Sequence, residues 1–101
     1  MKIYIAGGVT DVPDSEVQFK RAALKIQCIG HVPVHTLMLP EGLSEQGYMD
    51  IAMAMIREVD AIYCLPNWKT SVGAFAEVAY AKKLHLPVFH NIQQIKHRFR
   101  F

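Results

Sequence analysis

Short apolar runs alternate with longer stretches of helical periodicity along this chain. Residues 3–6 (Ile-Tyr-Ile-Ala) are apolar, and Gly7-Gly8 stops them, which predicts a strand buried on both faces. Residues 9–14 read as a loop, with Pro13 barring a helix and Asp14 or Ser15 available to cap the next one. From Phe19 the apolar positions Ala22, Ala23, Ile26 and Ile29 recur at helical spacing, and Gly30 sits where a helix ends in a glycine. Val32-Pro33-Val34 predicts a second strand, placed at a sheet edge because Pro33 has no N–H to give a ladder. Ser44 can cap a second helix with an apolar face of Tyr48, Ile51, Ala52, Met55, Ile56 and Val59. Met49 and Met53 add a second stripe, which predicts cover on two sides: the sheet on one, a second copy of the chain on the other. Residues 61–65 form the strongest strand, ended by Pro66, and Ser71 can cap a third helix reaching to about Leu84. Residues 87–89 are a fourth strand, and residues 91–101 a basic tail, helical or loose.

This β-α-β-α-β-α-β alternation predicts an α/β fold: a small doubly wound, Rossmann-like or flavodoxin-like three-layer sandwich. Its four-stranded parallel sheet takes the order 2-1-3-4. A ligand in such a sheet binds outside the carboxyl ends of the strands, where the strand order reverses. That directs attention to Gly7-Gly8 after strand one, to residues 66–73 after strand three, and to the 37–42 loop.

Composition narrows the partners. The chain has 101 residues, enough for one domain over 1–101, with 51% hydrophobic and 20% charged residues and a net charge of +2. So slight an excess of positive charge gives no footprint for a nucleic-acid polymer. No apolar run approaches the roughly 18 residues of a membrane span, and the N-terminal run is too short for a signal peptide. Cys28 and Cys64 read as reduced thiols, so the expected setting is cytoplasmic.

The candidate chemistry sits at the predicted strand ends. Gly7 and Gly8 permit close backbone approach by a ligand, or form only a tight turn; neither a G-x-G-x-x-G nor a phosphate-loop Lys-Ser/Thr is present. Ser71 and Gly73 fall at a helix N-terminus, where free N–H groups and the helix dipole favour an anion such as phosphate. Glu77 lies one and a half turns on among Ala74, Phe75, Ala76 and Val78. It reads either as a partly desolvated nucleophile or acid/base group, or as a solvated surface carboxylate. Tyr4 is a core residue or a group that orients a carboxylate. Asp50 on helix two could be structural or catalytic, and Asp60, at the far end of strand three, is structural. His31 and His35 flank Pro33 and would stand roughly 13 Å apart in extended chain, so no metal site is expected. Cys64 has no adjacent base and reads as a core thiol.

Four segments in register resemble the small phage and bacterial branch of nucleoside 2-deoxyribosyltransferase-like proteins. They are the opening 3–14, Leu39-Pro40-Glu41-Gly42-Leu43 followed by Tyr48-Met49, the run 60–68, and the S-x-G-x-x-x-E run from Ser71 to Glu77. The resemblance implies cleavage or exchange of an N-glycosidic bond in a deoxynucleoside or nucleoside monophosphate, without a cofactor. It implies Glu77 as nucleophile, Tyr4 as its orienting group, and Ser71 and Gly73 as contacts to a 5′-phosphate. It also implies an oligomer whose copies complete each other's pockets, here through helix two. Lys96, Arg98 and Arg100 of the tail offer further charge to a phosphate. One departure stands out: the carboxylate that assists base departure falls at the position of Ala52. Asp50, the nearest acid, is about 200° away around the helix. A pocket that binds a nucleotide without turnover, or a small interaction module, is the alternative.

Overall fold

The computed structural model describes residues 1–10 and 12–98. Four parallel strands form one sheet: β1 (Lys2–Ala6), β2 (Val32–Val34), β3 (Ala61–Cys64) and β4 (Val88–Phe89), in the spatial order β2-β1-β3-β4. The connections are α1 (Ser15–Cys28), α2 (Glu45–Glu58) and α3 (Val72–Lys83), and α4 (Ile92–Arg98) follows β4. Both the predicted class and the strand order hold. Pro33 lies on an edge strand, where its missing N–H costs no ladder bond.

The two-residue period of β1 and β3 sorts the core into two layers. Tyr4, Ala6, Ile62 and Cys64 face one cluster, which α2 and α3 complete with Ala52, Ile56, Ala74, Val78 and Ala81. Ile3, Ile5, Ala61 and Tyr63 face the other, with Phe19, Ala22 and Ile26 of α1 and Ile95 of α4. Tyr4 therefore looks towards α3 from the centre of the sheet. Residues 92–98 of the tail form α4, and Ile95 is fully buried, so this helix belongs to the α1 layer rather than hanging loose. Lys96 and Arg98 thus ride on the opposite face of the sheet from α3, and Arg100 lies outside the described residues.

Local chemistry explains most element ends. Ser44 and Ser71 accept from the N–H of Gly47 and Ala74 and so cap α2 and α3. Asp14 precedes α1 but spends its carboxylate on the Gln18 amide, at 2.9 Å, and not on a backbone cap. Gly30 has φ +88°, the left-handed conformation that ends α1. Asp60 accepts from the Lys2 N–H at 2.8 Å and ties the start of β1 to β3, the structural role expected of it. Met49 and Met53 are half-buried, and the Met49 methyl reaches the flank of Gly73, so α3 covers part of the second stripe. Among the described residues no helix is long and apolar enough to cross a membrane.

Gly7 is required by packing. A Cβ there would stand 2.5 Å from Leu65 Cδ1 and 3.0 Å from Leu65 Cβ, in a buried environment. The close approach that this glycine permits is to the Leu65 side chain at β3's own exit. Gly7→Ala should lower stability by about 1–3 kcal/mol through overpacking. A urea midpoint equal to that of the unsubstituted chain would show that Leu65 yields freely.

Candidate active site

The carboxyl ends of β1 and β3 and the first turns of α3 meet at one place. There Tyr4 Oη donates to Glu77 Oε2 at 2.6 Å, across 73 positions of sequence. Both groups are buried, Glu77 at 8% exposure and Tyr4 at 1%. Glu77 is buried because it shares the inner stripe of α3 with Ala74, Val78 and Ala81. Two large apolar residues of the same helix, Val72 and Phe75, are 88% and 54% exposed. A helix that turns a carboxylate inwards and a phenyl ring outwards has its stability set aside at that point for some other end.

Burial pushes the Glu77 carboxyl up to about 7, even though the Tyr4 hydrogen bond favours its ionised form. The Tyr4 phenol is raised well above its ordinary value, by burial first and then by the charge and hydrogen bond of Glu77. Tyr4 thus remains a donor at any physiological pH. It holds Oε2 and leaves Oε1 without a hydrogen bond to any described residue. The result is one carboxyl group, oriented by a phenol and poised to change charge near neutrality, where an acid, base or nucleophile is most useful.

Beside it, Asn67 Oδ1 accepts the Gly8 N–H at 3.0 Å and binds the β1 turn to the loop after β3. A Cβ at Gly8 would lie 3.3 Å from Asn67 Nδ2 and 3.4 Å from Ser71 Cβ, so these three residues border the same space. Ser71 Oγ is engaged with Ala74 N–H at 3.2 Å, while the N–H groups of Val72 and Gly73 have no partner within the helix. Trp68 fixes the loop between these elements. It is 9% exposed, stacks on Phe75 with ring centroids 5.7 Å apart, and has the Lys69 and Lys82 ammoniums each 5.7 Å from its ring.

Glu77, Tyr4, Gly7, Gly8, Ser71 and Gly73 are thus gathered at or beside the β1 and β3 exits. Asp50 is not among them: it is exposed on α2, while Ala52 turns towards the sheet at 1% exposure. Asn67 and Trp68 carry structural duties in the site that nothing in their spacing marks. The histidines serve separate ends, His31 Nδ1 at 2.8 Å from the N-terminal amine and His35 buried against Phe19. Burial pushes the Cys64 thiol up to about 11, which leaves it unreactive.

Residues 1–90 match the model of a protein family described as a domain of unknown function, DUF4406. The chain belongs to the DUF4406 family. Comparison with curated proteins found no match. Among solved structures, a 2-desoxiribosyltransferase from Leishmania mexicana superposes with a TM-score of 0.70 over 86% of this DUF4406 chain, at 23% identity. The chain spans 61% of that protein's length. At that identity the likeness carries the fold, and the fold of this DUF4406 chain is nucleoside 2-deoxyribosyltransferase-like.

Tyr4→Phe separates the orienting role from simple packing. Removing the donor that favours the carboxylate should raise the Glu77 pKa further and move the acidic limb of any Glu77-dependent reaction to higher pH. The rate at neutral pH should fall about 10- to 100-fold, the size of a lost hydrogen bond to a charged group. A uniform loss across the pH range, with the limb unmoved, would assign Tyr4 to packing alone.

Proposed function

We propose that this protein cleaves the N-glycosidic bond of a nucleoside 5′-monophosphate or deoxynucleoside through Glu77. The observation that carries the reading is the buried Tyr4–Glu77 pair at the carboxyl edge of the sheet, beside the N-terminus of α3. The fold shared with the 2-desoxiribosyltransferase from Leishmania mexicana supports the substrate class.

In this mechanism the ionised Oε1 of Glu77 attacks C1′ of the sugar as the C1′–N bond breaks. The bond's electron pair leaves with the base, which takes up a proton. The glycosyl ester on Glu77 is then opened by water, giving hydrolysis, or by a second base, giving transfer, and the carboxylate returns. Tyr4 keeps Oε2 in place throughout. Ser71 and the amides of Val72 and Gly73 offer a phosphate its donors at the positive end of the α3 dipole.

One observation favours a second reading, binding without turnover: α2 turns Ala52 into the core beside Tyr4 and keeps Asp50 in solvent, so α2 offers the departing base no carboxylate from these two positions. Chromatography after incubation with a panel of nucleosides and their 5′-monophosphates decides between them. Release of free base from at least one substrate is expected. Thermal stabilisation with no base released would establish the binding reading, and neither effect on any compound would overturn both.

A further inference from the structure

The edge strand brings one more polar group to the Tyr4–Glu77 pair. Val34 of β2 stands opposite Tyr4 of β1 in the parallel ladder and packs against the cluster that contains Tyr4. The backbone stays extended through His35, with φ −162° and ψ 164°. Successive side chains therefore alternate in direction. His35 turns to the other layer, where its ring centroid lies 5.3 Å from that of Phe19. Thr36 turns back to the side of Tyr4, and there its hydroxyl is hydrogen-bonded to the Tyr4 phenol. Thr36 also opens a short 3₁₀ turn, Thr36–Met38, in which the Leu39 N–H donates to the Thr36 carbonyl at 3.0 Å. Its backbone is thus fixed, and its side chain reaches the pair from the exit of a third strand.

The direction of the bond follows from counting protons. Tyr4 has one hydroxyl proton, which goes to Glu77 Oε2 at 2.6 Å. Thr36 must therefore donate, and Tyr4 Oη accepts. A donor at that oxygen eases charge onto it, and Thr36 accordingly lowers the Tyr4 pKa against the larger upward push of burial. A phenol that accepts a hydrogen bond is itself a stronger donor, and filling its lone pair keeps its proton aimed at Glu77. The other titratable side chains of this cluster are Cys64 of β3, a thiol that burial keeps neutral, and Tyr80 of α3. From α2 the cluster receives Ala52, Met55 and Ile56.

We propose that Thr36 is a positioning residue for Glu77: its hydroxyl donates to Tyr4 Oη and so holds the phenol proton on Oε2. The inference rests on the reading of Glu77 as the reacting carboxylate, and adds to it a residue that acts through Tyr4.

Thr36→Val, which keeps the shape and removes the hydroxyl, tests it. Carbon-13 NMR follows the Glu77 carboxyl carbon through a pH titration, and chromatography follows base release. The Thr36→Val chain should titrate Glu77 about half a pH unit higher and release base about 3- to 10-fold more slowly at pH 7. Thr36→Ser should titrate as the unsubstituted chain does and recover most of the rate. In a Tyr4→Phe background, Thr36→Val should move neither quantity, because the link is already cut. Thr36→Ala carries the same comparison if the Thr36→Val chain does not fold. An unmoved Glu77 midpoint, or an equal shift with and without the Tyr4 hydroxyl, would overturn the role of Thr36. The titration does not depend on turnover. A shifted midpoint in a protein that releases no base would uphold the link from Thr36 to Glu77 and defeat the glycosidic reading.

Discussion

Glu77→Gln should make the protein more stable at pH 8 and leave it nearly unchanged at pH 4.5. The folded carboxyl has its pKa raised from 4.5 to about 7, chiefly by burial. Below about pH 4.5 the side chain is neutral in both the folded and the unfolded chain, and burying it carries no charge penalty. As the pH rises through 4.5 the unfolded chain gives up its proton while the folded chain retains it. Stability therefore falls until the folded group ionises near pH 7, and stays lower above that. The difference amounts to about 3 kcal/mol, or roughly 10–20 °C in melting temperature for a domain of this size. Glutamine keeps an acceptor for the Tyr4 hydroxyl and never ionises, so it escapes the loss. Urea midpoints of the two proteins at pH 5 and pH 8 check this directly. A stability difference that is the same at both pH values would mean that Glu77 is not held in a desolvated state.

The same substitution should abolish glycosidic cleavage. An amide at position 77 cannot form the ester intermediate, and loss of a covalent nucleophile commonly costs at least about 10³-fold in rate. Because the nucleophile must be ionised, the rate of the unsubstituted protein should climb with pH through about 7, where its stability has already fallen. Stability and activity pull in opposite directions at this residue, as expected of a group kept for its chemistry. Base release by the Glu77→Gln chain within tenfold of the original, measured by chromatography under single-turnover conditions, would remove Glu77 from the reaction.

Much of the fold could be read from the sequence because the strands obey simple rules. The run 3–6 and the run 61–65 alternate between the two core clusters, and the proline in β2 predicts its edge position. The tail was less legible, because Lys96 and Arg98 mask a short apolar stripe, Ile92 and Ile95, that seats α4. In the site, Ser71 and Tyr4 stood out from their places at a helix start and in a strand. The burial of Glu77 did not. Helix α3 is apolar nearly all round, so no periodicity distinguishes its inner face, and it exposes Val72 and Phe75 while it buries an acid. Only the tertiary packing against Tyr4 resolves that choice. Gly7 was ambiguous for a related reason: a glycine suits a ligand's approach and a crowded leucine equally well, and the crowding by Leu65 appears only in the packing. Asn67 lies in a loop whose sequence carries no spacing rule, and its tie to the β1 turn emerges from one hydrogen bond, from the Gly8 N–H.

Covalent catalysis by Glu77 is tested most directly by mass spectrometry of the intact protein during turnover of a substrate whose sugar bears fluorine at C2′. The electron-withdrawing substituent slows cleavage of the glycosyl ester and lets the intermediate accumulate. A single added glycosyl mass, mapped by peptide analysis to Glu77 and missing from the Glu77→Gln chain, is the expected result. Base release without any adduct on the protein, or an adduct on another residue, would refute the role of Glu77 as nucleophile.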